Sequence, residues 1–247
     1  MITFKSEEDF IKMSKAGRAV KNLHEEIYNH AKEGVSLKEL DLLAKNIIKA
    51  SGCSSNFFEY RGYPSYICAS PNNVIVHGIP TDYILKEGDI LSIDAGAIFE
   101  GLHADAAVTY GIGEISDEAQ KLLNTTSLAL SEAIKLVQEG QALGTIGHKI
   151  KSIGEKNSYG VVREYIGHGI GFEMHEDPQI PNYGEKGKGL KLKEGMAICI
   201  EPMFNLGSEE TYTEDDNWTV KTKDGSLSAH FEHTIGLTPN GAEVFTL

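Results

Sequence analysis

Six residues of this chain have the types and the spacing to act together: His77, Asp94, Asp105, His168, Glu201 and Glu232. They occur in an order that repeats. His77-Gly78-Ile79 is matched by His168-Gly169-Ile170. Leu85-Lys86-Glu87-Gly88 leads to Asp94 and Leu192-Lys193-Glu194-Gly195 leads to Glu201, each acid six residues after its glycine. His103-Ala104-Asp105 is matched by His230-Phe231-Glu232, and upstream Glu33-Gly34 is matched by Glu139-Gly140. Five matches in one order point to an internal repeat. The unequal offsets between copies place insertions near 52–70, 172–188 and 205–227. Four carboxylates with one or two imidazoles make a hard-to-intermediate donor set that suits Mn, Fe, Co or Zn. Carboxylates can bridge two cations, whereas imidazole tends to terminate one. A cation pair about 3.5–4 Å apart can hold a hydroxide and polarise a carbonyl, which is the chemistry of a hydrolase. Leu91-Ser92-Ile93-Asp94 and Ile198-Cys199-Ile200-Glu201 each end an apolar strand-like run in a carboxylate. A charge in such a place needs a partner, because burying it alone is costly.

The elements that must position these residues are legible in outline. Met13, Ala16, Val20, Leu23 and Ile27 form one stripe and predict a helix over 6–31, with Gly34 as its C-cap. Ser36 and Glu39 form a capping box that opens a second helix, striped by Leu40, Leu43 and Ile47 and closed by Gly52. Residues 53–72 are aromatic and turn-rich, and β-like runs follow at 73–77, 89–94 and 102–109. A third helix is expected from Ser116 and Asp117 to Gly140. A fourth, over 143–156, has to carry Gly144 and Gly147 at about 1 kcal/mol each. Further β-like runs lie at 160–166, 196–201 and 228–237. Each half therefore reads as two helices followed by strands that carry His, acid and acid. This predicts an α+β fold, in which two halves related by a pseudo-twofold axis form a mainly antiparallel sheet covered by helices. The expected organisation is one domain, 1–247, with halves of about 1–115 and 116–247.

Composition narrows the partners. The 247 residues carry 23 Lys+Arg against 36 Asp+Glu, a net charge of -13. Nucleic-acid clamps and binders of anionic membranes want positive potential, so direct nucleic-acid binding is not expected. No apolar run approaches the roughly 18–20 residues of a membrane span. The acidic start has no apolar core of a signal peptide. Cys53, Cys68 and Cys199 are odd in number and form no CxxC pair, which fits a reducing cytoplasm better than a disulfide framework. Cys68 lacks the surroundings of a cysteine nucleophile. The five acids within 209–216 read as a solvated hairpin loop.

Five motifs give the chain a resemblance. His77-Gly78-Ile79-Pro80, Ser92-Ile93-Asp94-Ala95-Gly96, Gly167-His168-Gly169-Ile170-Gly171, Ile200-Glu201-Pro202 and Phe231-Glu232-His233-Thr234 resemble those of methionine aminopeptidase, type I, over essentially the whole length. The resemblance implies the pita-bread fold and removal of the initiator methionine from nascent chains, with a small second residue preferred. It implies Asp94, Asp105, His168, Glu201 and Glu232 as ligands of two divalent metal ions. Asp105 and Glu232 would bridge the two, Asp94 would bind through both oxygens, and Glu201 would also shuttle protons. It implies His77 and His175 as substrate-facing histidines rather than ligands, and a methionine pocket lined by Tyr60, Tyr63, Cys68, Met174 and Trp218 with Phe57 nearby. Phe57 and Met174 depart from common family usage, which bears on pocket width and not on the reaction. His103 and His230 are expected near the site as outer donors or simply as strand residues. The compact form resembles the bacterial type, a cytoplasmic monomer that could work at the ribosome. Two other readings stay open: a proline-specific aminopeptidase or dipeptidase of the same fold, and a non-catalytic pita-bread binding protein.

Overall fold

The computed structural model describes every residue, Met1–Leu247. The first half runs α1 (Glu7–His30), α2 (Leu37–Ala50), β1 (Ser54–Ser55), β2 (Cys68–Pro71), β3 (Val74–Val76), β4 (Ile90–Phe99) and β5 (Leu102–Gly111). The second runs α3 (Asp117–Ile134), α4 (Leu143–Lys156), β6 (Gly160–Val161), β7 (Gly167–Gly169), β8 (Glu176–Ile180), β9 (Ala197–Ile200) and β10 (Met203–Asn205). It closes with β11 (Thr211–Thr213), β12 (Val220–Thr222), β13 (Ser228–His230), β14 (His233–Thr238) and β15 (Gly241–Val244). All strand pairs are antiparallel: β1-β4-β2 with β5 on β4, β15-β14-β9-β7-β8, β13-β10-β6 and β11-β12-β3.

Local signals decide where helices begin. The Ser36–Glu39 capping box forms as expected, and Ser6 with Asp9 makes a second one at the head of α1. The expected α1 stripe is buried throughout, and Ala16, Ala19 and Val20 meet Ala97, Ala104 and Ala106, small residues that let α1 lie close on β4 and β5. In α2 the stripe runs deeper at Ala44 and Ile48 than at Leu43 and Ile47.

Helix ends differ from expectation. α1 stops at His30 with extended backbone at Ala31, so Gly34 is no C-cap. α3 stops at Ile134, because Leu136 and Val137 bond back only three residues and tighten the last turn. The two glycines serve instead as matched turns. Gly34 N–H donates to Leu85 O at 2.9 Å and Gly140 N–H to Leu192 O at 2.8 Å. Leu85 N–H in turn donates to Val35 O, and Leu192 N–H to Gln141 O.

α4 spans the expected residues despite its glycines, for a packing reason. A Cβ on Gly147 would stand 2.3 Å from Tyr183 O, and one on Gly144 2.5 Å from Glu185 O. The helix therefore approaches the 181–188 backbone closely, and only glycine fits.

Two apolar clusters anchor the halves. Leu23, Ile27, Leu40, Ile48, Leu91 and Ile93 pack α1 and α2 against β4. Leu122, Ile146, Ile150, Ile198, Phe204 and Ile235 pack α3 and α4 against β9, β10 and β14. Each fully buried side chain of this kind is worth about 1.5–3 kcal/mol. No helix is long and apolar enough to cross a membrane.

Candidate functional site

Strand register assembles the acids. On β4 and β5, Asp94 lies opposite Ala107 and Gly96 opposite Asp105, so both carboxylates face the same side of the ladder. On the other edge of β4, Asp94 lies opposite Cys68. In the second half, β9 and β14 pair through Ile200 and His233, and one step further the register sets Glu201 beside Glu232. The expected strand over 228–237 breaks at Phe231 and Glu232. The break has a cause: Glu232 pairs instead with the first half, its N–H donating to Ala107 O at 2.8 Å and its carbonyl accepting from Ala107 N–H at 3.3 Å. A row Cys68–Asp94–Ala107–Glu232–Glu201 thus crosses strands of both halves.

Two threonines lace the same seam. Thr234 Oγ1 accepts from Asp105 N–H and donates to Asp105 O, at 2.8 and 2.7 Å. Thr109 Oγ1 donates to His230 O and accepts from His230 N–H, at 2.8 and 2.9 Å. Thr234 closes the Phe231-Glu232-His233-Thr234 motif, but nothing in the sequence announces Thr109 or the contact that either threonine makes.

The resulting donor set is buried and short of partners. Oxygens of Asp94, Asp105 and Glu232 lie within 4.8 Å of one another, as do ligand atoms of Glu201, His230 and Glu232. Asp94 Oδ1, Asp105 Oδ1 and Glu232 Oε1 have no hydrogen-bond partner although they are buried. Burial first, and the neighbouring acids next, push Asp94 and Glu232 well above the usual carboxylate range. Asp105 is pushed up to about 6 by burial, with His168 working the other way. Burial would also raise Glu201, but the His230, His168 and His175 imidazoles around it win and hold it below its ordinary value. His168 Nδ1 lies 2.9 Å from Gly169 O. A carbonyl can only accept, so that nitrogen carries a proton, and the neutral form of the ring has its lone pair on Nε2. Nε2 lies 3.7 Å from Glu201 Oε1 and 4.0 Å from Glu232 Oε1. Crowded carboxylates beside a bare imidazole nitrogen, with no cation side chain among them, are the donors a divalent cation needs.

These groups open into a cavity of about 480 Å³. Every residue that the resemblance placed at the metal centre or in the substrate pocket lines it: Asp94, Asp105, His168, Glu201 and Glu232, then His77 and His175, and Phe57, Tyr60, Tyr63, Cys68, Met174 and Trp218. The aromatic and sulfur side chains form one apolar cluster. Tyr63 meets Trp218 edge-on at 5.1 Å and Phe57 at 6.4 Å. The Cys68 thiol is held well above its ordinary value by burial and by Asp94, so it stays protonated and is no nucleophile.

His175 is lowered to about 4, mainly by burial and by His168. Its Nδ1 lies 2.9 Å from the Tyr60 hydroxyl and its ring 4.3 Å from that of His168. A Tyr60 hydroxyl that donates to Nδ1 would leave the ring's own proton on Nε2. His77 is lowered by burial and sits at φ +59°, a backbone strain characteristic of functional sites.

The two outer histidines part company. His230 Nε2 reaches 3.5 Å from Glu201 Oε2. Neither lines the cavity, and for His103 the contact is a backbone one, its main-chain N–H donating to Gly171 O. Sequence reasoning missed Arg61, Val76, Glu164, Tyr165, Ile166 and Gln179 on the cavity wall. Residues 162–166, expected to be strand, leave the ladder after Val161 and so present Glu164, Tyr165 and Ile166 to the cavity. Tyr165 packs edge-on against His77 at 5.5 Å.

The sequence profile of metallopeptidase family M24 matches residues 11–239. The chain belongs to metallopeptidase family M24. Within M24 it groups with the methionine aminopeptidases. It is 47% identical to methionine aminopeptidase 1 of Bacillus subtilis, over 100% of this chain and 99% of that one. It is 42% identical to the methionine aminopeptidase of Escherichia coli, over 100% and 94%. The crystal structure of the Thermotoga maritima methionine aminopeptidase superposes with a TM-score of 0.98 at 42% identity, over 100% and 99% of the chains. This M24 chain therefore has the pita-bread fold, and it resembles Pyrococcus furiosus prolidase in fold alone, at 22% identity with a TM-score of 0.81 over 65% of that chain.

As an M24 metallopeptidase it uses divalent metal, and the raised acids make that use depend on pH. Acids held above their ordinary values keep protons that a cation must displace. The apparent affinity of the metal-free protein for Mn is expected to rise as pH rises through about 6, the value to which Asp105 is pushed, with protons released on binding. Calorimetry in buffers of different ionisation enthalpy measures this, and an affinity that stays flat through that pH would contradict it.

Proposed function

We propose that this enzyme hydrolyses the first peptide bond of polypeptides that begin with methionine, preferring a small second residue. We further propose that Asp94, Asp105, His168, Glu201 and Glu232 hold two divalent cations, drawn from Mn, Co, Fe or Zn. One observation carries the reading. Buried carboxylate oxygens without partners share a cavity with a cluster of aromatic and sulfur side chains. When bound, the cations supply Lewis acidity and activate water near neutral pH.

The chain's own residues do the rest. Glu201, kept ionised by its imidazole neighbours, takes a proton from the attacking water and returns one to the leaving amine. Neutral His175 donates from Nε2 to the oxygen that gains charge, and His77 contacts the peptide backbone at the scissile bond. Tyr60, Tyr63, Cys68, Met174, Trp218 and Phe57 receive the methionine side chain, where sulfur–aromatic contacts add about 0.3–1.5 kcal/mol each.

We read the chain as one catalytic unit built from two half-repeats, 1–115 and 116–247. The paired bonds of Gly34 with Leu85 and of Gly140 with Leu192 support that reading. Its substrates are nascent N-termini, met in the cytoplasm by a monomer, at the ribosome among other places.

A peptide panel tests the activity. Met-Ala- peptides are expected to be cleaved, Met-Leu- peptides poorly, and neither after chelation, with Mn, Co or Fe restoring turnover. A preference for Ala-Pro- peptides would move the assignment to the proline-specific relatives.

A further inference from the structure

His175 stands on a loop between β7 and β8, whereas every proposed metal ligand lies on a strand or at its end. A side chain that stabilises developing charge must be held within about 0.5 Å of its working position, so the loop itself has to be fixed. Tyr60 holds the imidazole through one nitrogen. It does not hold the backbone.

The anchor is the next residue. Glu176 Oε1 accepts from Phe172 N–H at 2.8 Å and Glu173 N–H at 3.1 Å, closing the loop on itself. Glu176 Oε2 takes the Lys5 ammonium at 2.7 Å and the Thr3 hydroxyl. Lys5 Nζ also donates to Thr3 Oγ1 at 2.6 Å. The Lys5 and Glu176 side chains are 1% and 4% exposed. The Lys5 stem lies so close to the start of the loop that a Cβ on Gly171 would stand 1.9 Å from Lys5 Cε. The N-terminal segment is itself tied down: Ile2 bridges to Asp177 in parallel, and Lys5 N–H donates to Gly195 O at 2.7 Å.

None of Thr3, Lys5 and Glu176 lines the cavity. A buried ion pair is a weak source of stability, because desolvation of both charges offsets their attraction. It is a strong source of geometry, because a carboxylate with four donors has one place to sit. We propose that Thr3, Lys5 and Glu176 form a positioning device for His175, a strap from the N-terminal segment that sets the height and orientation of the 171–176 loop over His168. The proposal rests on the catalytic reading of His175.

The test uses Lys5→Met, which keeps the stem and leaves Glu176 its amide and hydroxyl donors, and Lys5→Met/Glu176→Gln, which buries no charge. Both are measured for kcat, KM and bound metal, alone and in a His175→Ala background. The expected result is a fall in kcat of about 10- to 100-fold with metal content unchanged, and little further fall once His175 is alanine. Wild-type kcat in either folded variant, or an equal fall in the His175→Ala background, would overturn the proposal. If Lys5→Met does not accumulate as folded protein, the charge-free double variant decides alone. His175→Ala at full kcat would instead remove the catalytic reading of the histidine, and the strap's role with it.

Discussion

Asp105→Ala is expected to abolish turnover and divalent-cation binding while leaving the fold intact. Asp105 is buried opposite Gly96, with Oδ1 unpartnered and within 4.8 Å of Asp94 and Glu232 oxygens. By the family resemblance it would touch both cations, so its loss weakens both at once. The strand does not depend on the carboxylate. Asp105 is laced to Thr234 through its backbone N–H and carbonyl, and alanine keeps both. The metal-free variant should therefore melt no lower than the metal-free wild type, because removing one of four crowded buried acids relieves their repulsion. Metal content by elemental analysis, peptide turnover and thermal melting in chelator check the three parts. Turnover retained in metal-free buffer would end the dinuclear reading. A collapse of the metal-free fold would mean that Asp105 serves structure as well.

His175→Ala should behave oppositely toward metal. Its bound metal is expected to match the wild type while kcat falls by about 10²–10⁴, the usual worth of one such donor. The reason is positional. His175 stands beside the centre, 4.3 Å ring to ring from His168, with Nδ1 engaged by Tyr60. Lowered to about 4 by burial and His168, it is neutral at working pH and can donate without carrying charge. Steady-state kinetics with elemental analysis of the same sample decide the case. Unchanged kcat would take His175 out of the mechanism, and lost metal would make it a ligand or a support for one.

Much of this was legible in the sequence because it is local or repeated. The Ser36–Glu39 box fixes a helix start through hydrogen bonds three residues apart, and α4 follows its apolar spacing from Leu143 to Lys156. The acids were found because the chain presents its pattern twice, and a repeated His, acid, acid order stands out where one buried aspartate would not.

Tertiary structure decided the rest. Helix ends at His30 and Ile134 and the exit of 162–166 from the ladder depart from the apolar pattern, and the break at Phe231 and Glu232 answers to a segment distant in the chain. Glu232 leaves its own strand because Ala107, 125 positions earlier, offers both its N–H and its carbonyl. Lys5 meets Glu176 across 171 residues, and Thr234 meets Asp105 across 129. Sequence periodicity reports which face of an element is apolar. It does not report which two faces meet or in what register, and register is what turned scattered acids into one centre and put His175 beside it.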